Sequence, residues 1–149
     1  MVEILTNRSY WLGKKKNRRQ ALKITLNILK GIRHLHKKSF LYYDICPKNI
    51  LIRDNDPASI KIIDFGNAVK IANHTETDSK YKNKDLYAAV LICILLTSGL
   101  VSPNPIKDLK SIDKDLQQIL YKGIHSDKTQ QYNSAQEFII ALKSISQNY

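Results

Sequence analysis

Three oxygen-bearing side chains occur at a chemically suggestive spacing in the first half of this 149-residue chain. Asn49 follows Asp44 by five residues in "YYDICPKNIL", and Asp64 opens the Asp-Phe-Gly of "IKIIDFGNAVK". Phosphoryl transfer needs oxygen ligands for Mg²⁺ and a carboxylate that orients the attacking hydroxyl, and carboxylate and amide oxygens meet that need. The spacing therefore predicts machinery that holds a metal-bound nucleotide.

A helix and a small hairpin are the elements that must position these residues. Apolar residues recur at helical spacing over 19–37, which predicts an amphipathic helix. A short extended piece follows at 40–43. The β-rich segments 49–52 and 60–63 flank a turn-forming "RDNDPAS", so we predict a hairpin that brings Asn49 and Asp64 to one edge.

The second half of the chain has a helical pattern. The apolar run at 86–101 has 16 residues, fewer than the roughly 20 that span a bilayer, so it predicts a buried helix over 85–98 and no membrane span. We expect Asp85 to be the N-cap of that helix. "SPNP" at 102–105 is a predicted loop, and closing helices are predicted over 113–145, the last opened by a capping box of Ser134 and Glu137. The fold class is a single domain, mainly α with a small β-hairpin sheet.

Charge and cysteine content limit the function classes. The net charge of +11 is concentrated in residues 1–38, which hold eleven Lys or Arg against Glu3 alone. Such a basic segment could bind an acidic partner surface, or it could be an ordinary solvated helix face. Aromatic residues do not alternate with its cations, which disfavours nucleic acid as the partner. Cys46 and Cys93 lack metal-ligand spacing, and no signal peptide opens the chain. We therefore predict an intracellular, cytoplasmic protein.

The motifs also resemble a known family. "HLHKKSFLYYDICPKNILI" with "IKIIDFG" is similar to the catalytic-loop and Asp-Phe-Gly region of eukaryotic-type Ser/Thr protein kinases, here at 40–66. "KDLYAAVLICILLTSG" resembles the buried helix F of that fold, "ILYKGIHSDKTQQYNSAQEFIIAL" resembles its closing helices, and "MVEIL" at 1–5 resembles its hinge. The resemblance implies a kinase-like C-terminal lobe over nearly the whole chain.

The family's roles are carried over by position. The resemblance implies Asp44 as the catalytic base, Asn49 and Asp64 as metal ligands, and Leu51 as the residue under the adenine. We assign Lys48 to cofactor binding as the nearest cation, although a conventional loop directs that position elsewhere. The implied cofactors are Mg²⁺ and ATP, held weakly by one lobe alone. Asp44, Asn49 and Asp64, each taken alone, are also typical of an ordinary turn.

The resemblance implies three supporting residues as well. Tyr42 and Phe65 match the apolar spine of the family, and Asp85 matches the residue that ties helix F to the backbone of the catalytic loop. These residues would connect the predicted site to the core.

The chain departs from the family pattern at several positions. None of its five glycines forms a G-x-G, so the phosphate-covering loop and the rest of the N-terminal lobe are missing from the pattern. Tyr43 and Cys46 stand where the family has an arginine and a lysine. No Ala-Pro-Glu lies between Gly66 and Asp85, and Gln131 replaces the arginine that would pair with its glutamate. Independent catalysis is therefore not expected.

Three functions remain open on these residues. The first is a truncated protein-kinase-like phosphotransferase, weakly active or active only with an N-lobe supplied by another chain. The second is a pseudokinase-type binding module that mimics or regulates a full kinase, or self-associates through apolar surface such as Leu51 and Ile63. The third is a small-molecule phosphotransferase. A fragment of a longer gene is compatible with all three.

Overall fold

The first element of the described residues is an amphipathic helix, α1 (Arg18–Lys37), at the place where helical spacing of apolar residues predicts one over 19–37. Asn17 caps it, because its side chain accepts a hydrogen bond from the backbone N–H of Gln20 at 2.8 Å. Burial of each large aliphatic side chain contributes about 1.5–3 kcal/mol, so the buried face anchors this helix. The buried residues are Ala21, Leu22, Ile24, Thr25, Ile28, Leu29 and Ile32.

The computed structural model describes residues 15–54, 56–71, 76–99 and 103–146. The hinge-like segment predicted at residues 1–5 lies outside these described residues. Within them the chain forms five α-helices, α1 included, and four short strands. The elements after α1 are, in order, β1 (Phe40–Leu41), β2 (Ile50–Ile52), β3 (Ile60–Ile62), β4 (Val69–Lys70), α2 (Glu76–Ser98), α3 (Pro105–Leu109), α4 (Lys114–Gly123) and α5 (Ala135–Ser146).

Two small antiparallel sheets frame the predicted site. Strands β2 and β3 form the expected hairpin, with Ile50 opposite Ile62 and Ile52 opposite Ile60. A second pair, which the sequence pattern did not predict, joins β1 to β4. Two-residue strands are too short to show an alternating pattern, which explains why only the structure reveals this pair. The pairing brings the start of the catalytic-loop region next to the segment that follows Asp-Phe-Gly.

Helix α2 differs from its prediction at its N-terminus. It begins at Glu76, so Asp85 lies inside the helix, and the expected N-cap role of Asp85 is wrong. The segment before Asp85 is polar and carries no apolar periodicity, which is why its helical state was not expected. From Asp85 to Thr97 most residues are buried, as the apolar run predicts. No helix in the described ranges is long and apolar enough to cross a bilayer.

A short helix, α3, begins at Pro105, the last residue of the loop predicted at 102–105, and continues through a segment for which the sequence predicted no element. Asn104 caps α3, since its side chain accepts a hydrogen bond from the backbone N–H of Lys107 at 3.1 Å. Pro105 occupies the first turn, where its lack of an N–H costs nothing. The short helix places Leu109 in the core and directs Asp108 inward.

The closing helices complete the core. The backbone N–H of Glu137 donates to Ser134 Oγ at 3.1 Å, as in a capping box, while the Glu137 carboxylate accepts from the backbone N–H of Asn133 at 2.9 Å. Helix α1 packs against both α2 and α5, and α4 packs against α5 and α2. The fold is therefore mainly helical with small antiparallel strand pairs, which confirms the predicted class.

Candidate functional site

The catalytic-loop region is held together by Asn49. A 3₁₀ turn (Pro47–Asn49) leads into β2 and places Asn49 in the interior, where it is 3% exposed. Its Nδ2 donates to the backbone carbonyl and to Oδ2 of Asp44, each at 2.9 Å. The amide nitrogen is thus fully used by Asp44. No hydrogen bond among the described residues reaches Asn49 Oδ1, which remains an acceptor suited to a hard cation.

The hairpin places Asp64 beside this loop. The backbone N–H of Ile63 donates to the Asn49 carbonyl at 2.8 Å, which extends the β2–β3 pairing by one step. Asp64 then adopts φ +64°, and its Oδ1 accepts a hydrogen bond from the backbone N–H of Gly66 at 3.2 Å. A left-handed backbone at a non-glycine residue is uncommon and clusters at functional sites. The turn leaves the Asp64 carboxylate exposed next to Asn49's strand.

Tyr42 connects the two segments. Its hydroxyl donates to the backbone carbonyl of Ile63 and to that of Asp64, the latter at 2.8 Å, and its ring meets Phe65 edge-on with centroids 5.3 Å apart. Burial, together with the charge of Asp44, raises the pKa of Tyr42 to about 12. The contact between Tyr42 and Phe65 is the one that the family resemblance implied.

Asp85 anchors the loop to helix α2. Its carboxylate, 1% exposed, accepts hydrogen bonds from the backbone N–H groups of Tyr42 at 3.0 Å and Tyr43 at 2.8 Å. His36 Nε2 lies 2.8 Å from the same carboxylate. Tyr43 has φ +66°, a conformation that these two backbone bonds hold in place. Asp85 thus ties the helix to the loop, as the resemblance implied.

The two positions where the family has cations are occupied by a tyrosine and a thiol. Cys46 Sγ lies 3.7 Å from Asp44 Oδ1, and burial followed by the charge of Asp44 raises the pKa of the Cys46 thiol. Tyr43 packs edge-on against Tyr81, and Lys84 Nζ lies 5.4 Å from the centroid of each ring. A neutral thiol therefore faces the Asp44 carboxylate, and the Lys84 ammonium lies over an aromatic pair.

The structure brings some of the predicted site residues together. The side chains of Asp44 and Asn49 are in direct contact. Asp64 lies two residues after the end of β3, the strand that pairs with β2. Leu51 is half-buried and lies on the face of β2 opposite to its buried neighbours, because side chains alternate along a strand. Lys48 is exposed on the 3₁₀ turn, and no ion pair or hydrogen bond within the described ranges links it to Asp44.

Sequence reasoning missed three residues of the site. Asn67 Nδ2 donates to Asp44 Oδ2 at 3.3 Å, and its position one residue after Asp-Phe-Gly was a usable signal. His36 and Lys84 had no such signal, since their partners are set by the packing of α1 and α2 against the loop. The described residues hold no cluster of three or more His, Cys, Asp or Glu suited to a metal ion. A Mg²⁺ site here would consist of one carboxylate and one amide oxygen completed by phosphate and water, which is an arrangement that Mg²⁺ favours.

Comparison with known proteins agrees with the geometry. A family model described as the protein kinase domain matches residues 3–92. The chain is 35% identical over 69 residues to a striated muscle preferentially expressed protein kinase of Danio rerio, which covers 46% of this chain and 2% of that protein. It is 51% identical over 39 residues to myosin light chain kinase family member 4 of Homo sapiens, which covers 26% of this chain and 10% of that protein. The chain therefore spans a small part of the length of these relatives.

A solved structure shares the fold. The crystal structure of the Rad53 kinase domain and SCD2 aligns with a TM-score of 0.74 at 16% identity, covering 95% of this chain and 63% of that chain. At this identity the likeness concerns the fold alone, and it agrees with the mainly helical arrangement described above.

Proposed function

The chain belongs to the protein kinase family, and from this membership we propose that it retains one half of a Mg²⁺-ATP site and transfers phosphate only weakly unless another polypeptide supplies the lobe that covers the phosphates. The observation that carries the proposal is the arrangement of Asn49. Its Nδ2 is committed to Asp44 while its Oδ1 remains an acceptor. This is the orientation in which one residue both positions a catalytic carboxylate and offers a metal ligand.

The proposed roles follow from the contacts. Asn49 Oδ1 and the exposed Asp64 carboxylate would hold Mg²⁺, and Leu51 would lie under the adenine. Asp44 Oδ2 is used by two amide side chains, so Oδ1 is the oxygen that would orient the acceptor hydroxyl and receive its proton. Bound Mg²⁺-ATP would supply the phosphoryl group, with a Ser or Thr hydroxyl as acceptor. Lys48, exposed on the same turn, would add a cation for the phosphates.

Cys46 limits the rate in this proposal. One preorganised electrostatic donor is worth about 3 kcal/mol in the transition state, which is roughly a hundredfold in rate. The Cys46 thiol is neutral and supplies no such charge. Replacement by lysine would place a cation at the end of a longer side chain on the same loop position, so Cys46→Lys is expected to raise phosphate transfer by about a hundredfold where transfer is measurable.

Calorimetric titration of ATP with and without Mg²⁺ tests the site directly. We expect Mg²⁺-dependent binding to the unaltered protein, loss of that binding in Asp64→Ala, and its retention in Asp56→Ala. Asp56 is the matched control because it is an exposed aspartate whose side chain caps only the hairpin turn, accepting from the backbone N–H of Ala58 at 2.9 Å. Binding that does not depend on Mg²⁺, or that survives Asp64→Ala, would refute the assigned site.

Radiolabel transfer from ATP tests the second half of the proposal. The expected result is weak transfer by this chain alone and stronger transfer when an isolated kinase N-lobe is added. Equal transfer with and without the added lobe would refute the requirement for a second polypeptide, and Asp44→Ala serves as the background.

A second candidate is a binding module that regulates a full kinase or self-associates. Its support is the apolar surface around the hairpin and the segment after it: Phe65 is 50% exposed, Val69 is 49% exposed, and Leu51 and Ile63 are only half-buried. Neighbouring exposed apolar side chains favour association. Sedimentation of the protein alone and with a purified kinase tests this candidate, and monomeric behaviour in both cases, unchanged in Phe65→Ser, would count against it.

A further inference from the structure

A surface cavity of about 290 Å³ lies where the end of α1, the first half of α2 and the start of α5 meet. Basic side chains and the first residues of α5 form most of its wall. Among the residues that the structure describes, no Asp or Glu lines it. The lining includes Arg33, His36, Lys37, Lys82, Ala135 and Gln136.

Helical spacing brings the cations of this cavity together. Arg33, His36 and Lys37 stand at positions i, i+3 and i+4 of α1, so they share one face of that helix. Lys82 precedes Asp85 by three residues on α2, and it therefore lies on the same face as the carboxylate that meets His36. Cations near the end of a helix also complement its dipole, but Lys82 comes from the interior of a second helix. The cluster is thus built by two elements.

Among the described residues, no carboxylate neutralises the three cations of the cavity. Arg33 Nη1 donates to the neutral Gln136 Oε1 at 2.5 Å. Lys37 and Lys82 form no hydrogen bond or ion pair within the described ranges. The carboxylate in the first turn of α5, that of Glu137, already pairs with a lysine of α4 at 2.6 Å. Like charges held around one cavity repel each other, and an anion between them removes that repulsion.

The start of α5 adds backbone donors to the cavity. The backbone N–H of Glu137 is used by Ser134 Oγ at 3.1 Å. Those of Ala135 and Gln136 occupy the first two positions of this 12-residue helix, where the helix itself provides no acceptor. The partial positive charge of a helix N-terminus favours an anion at the same place.

His36 is the buried part of the cavity wall. Its side chain is 8% exposed, and Nε2 lies 2.8 Å from the Asp85 carboxylate. Nδ1 has no hydrogen-bond partner among the described residues and is not sealed from solvent, so it opens to the cavity that the ring lines. As an imidazolium, the ring would donate to Asp85 from one nitrogen and to an anion from the other. A buried ring with one unpartnered nitrogen at the cavity therefore points to a ligand.

The number of donors selects the kind of anion. A carboxylate brings one charge and two oxygens, whereas a phosphate monoester carries a charge of about −1.5 to −2 at neutral pH and has three strong acceptor oxygens. Three cations and two free backbone N–H groups match the phosphate. At about 30 Å³ per water molecule, the cavity holds a phosphate group together with its hydration or with the atoms that carry it.

We propose that this cavity binds a phosphate group, either as free phosphate or as the ester on a phosphorylated side chain. The proposal does not rest on the nucleotide site, because none of the cavity's lining residues belongs to that site. His36 nevertheless connects the two regions. It contacts Asp85, whose carboxylate also accepts the backbone N–H groups of Tyr42 and Tyr43, so a bound phosphate would lie one residue away from the anchor of the catalytic loop.

NMR titration of the ¹⁵N-labelled protein, without nucleotide or divalent metal, locates the ligand. The probes are sodium phosphate and N-acetyl-O-phosphoserine methylamide. Sodium acetate and N-acetylserine methylamide, at matched ionic strength, are the control ligands. We expect saturable changes in the amide resonances of Ala135 and Gln136 with the phosphate probes and none with the controls. Tighter binding of the phosphoserine derivative supports a phosphorylated side chain as the source, and tighter binding of inorganic phosphate supports the free anion.

Two substitutions test the cations. Arg33→Gln and Lys82→Gln should each weaken phosphate binding about tenfold, the size expected for the loss of one charge-assisted hydrogen bond. Lys23→Gln is the matched control, because it removes the same charge from an exposed position of α1 that does not line the cavity. It should leave phosphate binding unchanged.

Three results would overturn the proposal. They are changes of equal size with acetate, changes that leave the amides of Ala135 and Gln136 unaffected, and binding that survives both Arg33→Gln and Lys82→Gln.

Thermal denaturation gives a second measurement that needs no resonance assignment. A ligand that binds only the folded state raises the midpoint, so phosphate should raise it for the unaltered protein and for Lys23→Gln, and raise it less for Arg33→Gln. An equal rise in all three proteins would also overturn the proposal. Failure of Mg²⁺-ATP binding would refute the nucleotide site and leave these outcomes unaffected, since they are measured without nucleotide.

Discussion

Replacement of Tyr42 with phenylalanine removes one hydroxyl and keeps the ring against Phe65. In the native protein that hydroxyl donates to the backbone carbonyls of Ile63 and Asp64. A hydrogen bond between neutral groups contributes about 1 kcal/mol net, and more is lost when a buried acceptor is left without its donor. At neutral pH we therefore expect Tyr42→Phe to lower the free energy of unfolding by about 1–2 kcal/mol.

The same hydroxyl makes stability depend on alkaline pH. The pKa of Tyr42 is raised from 10.0 to about 12 in the folded protein. Between these values the unfolded chain has lost the proton while the folded chain retains it, so the unfolded state binds fewer protons and the free energy of unfolding falls as pH rises. At pH 11 deprotonation of this tyrosine favours the unfolded chain over the folded chain about tenfold, which lowers the free energy of unfolding by about 1.4 kcal/mol. The advantage of tyrosine over phenylalanine should thus largely disappear by pH 11.

Urea denaturation followed by far-UV circular dichroism at pH 7, 9, 10 and 11 measures this difference. The control is Tyr121→Phe, which removes an exposed hydroxyl with no hydrogen bond among the described residues and should leave stability unchanged at pH 7. The reasoning is refuted if the unaltered protein and Tyr42→Phe lose stability in parallel as pH rises from 9 to 11.

Three further substitutions probe the backbone and packing by the same denaturation assay. Asp85→Asn places an amide N–H opposite a backbone N–H. It should lower the free energy of unfolding by about 3 kcal/mol, because the carboxylate accepts three hydrogen bonds in the interior. A decrease under about 1 kcal/mol would contradict its anchoring role. Ser39→Gly should raise the free energy of unfolding by about 1 kcal/mol, because Ser39 has φ +62° just after α1 and glycine adopts that conformation without strain. A loss of stability would refute this. Gly123→Ala should lower the free energy of unfolding by about 1–3 kcal/mol, because the new methyl group would overlap Val90. Gly31→Ala serves as its control, since the methyl group there meets only the end of a flexible side chain. Equal effects of the two alanines would contradict the packing argument.

The parts of the site that depend on nearby residues could be predicted from the sequence. Asp44 and Asn49 lie in one loop, so their spacing alone allows the side-chain contact that the structure shows. The hairpin that follows was predictable for the same reason, since β-branched segments flank a strong turn. Leu51 then falls on the open face by simple alternation along the strand.

The parts that depend on packing between distant segments could not be predicted. His36 meets Asp85 across 49 residues, and no local pattern at either residue indicates this pair. Asp108 stands in a segment for which the sequence predicted no element, and its burial results from the packing of α3 against α2. The early start of α2 was missed because residues 76–84 are mostly polar, so tertiary packing rather than periodicity decides their helical state.

The pairing of α1 with the last helices determines the order in which the chain can fold during synthesis. Arg18, at the start of α1, forms ion pairs with Asp113 and Asp115, and Arg33 donates to Gln136 at 2.5 Å on α5. These contacts join residues 95 to 103 positions apart. Helix α1 packs against α2 as well as α5, so its apolar face is covered in two steps, first by α2 and only later in synthesis by α5. A nascent chain that has not yet reached α5 leaves part of the apolar face of α1 exposed, and exposed apolar surface of this kind favours association.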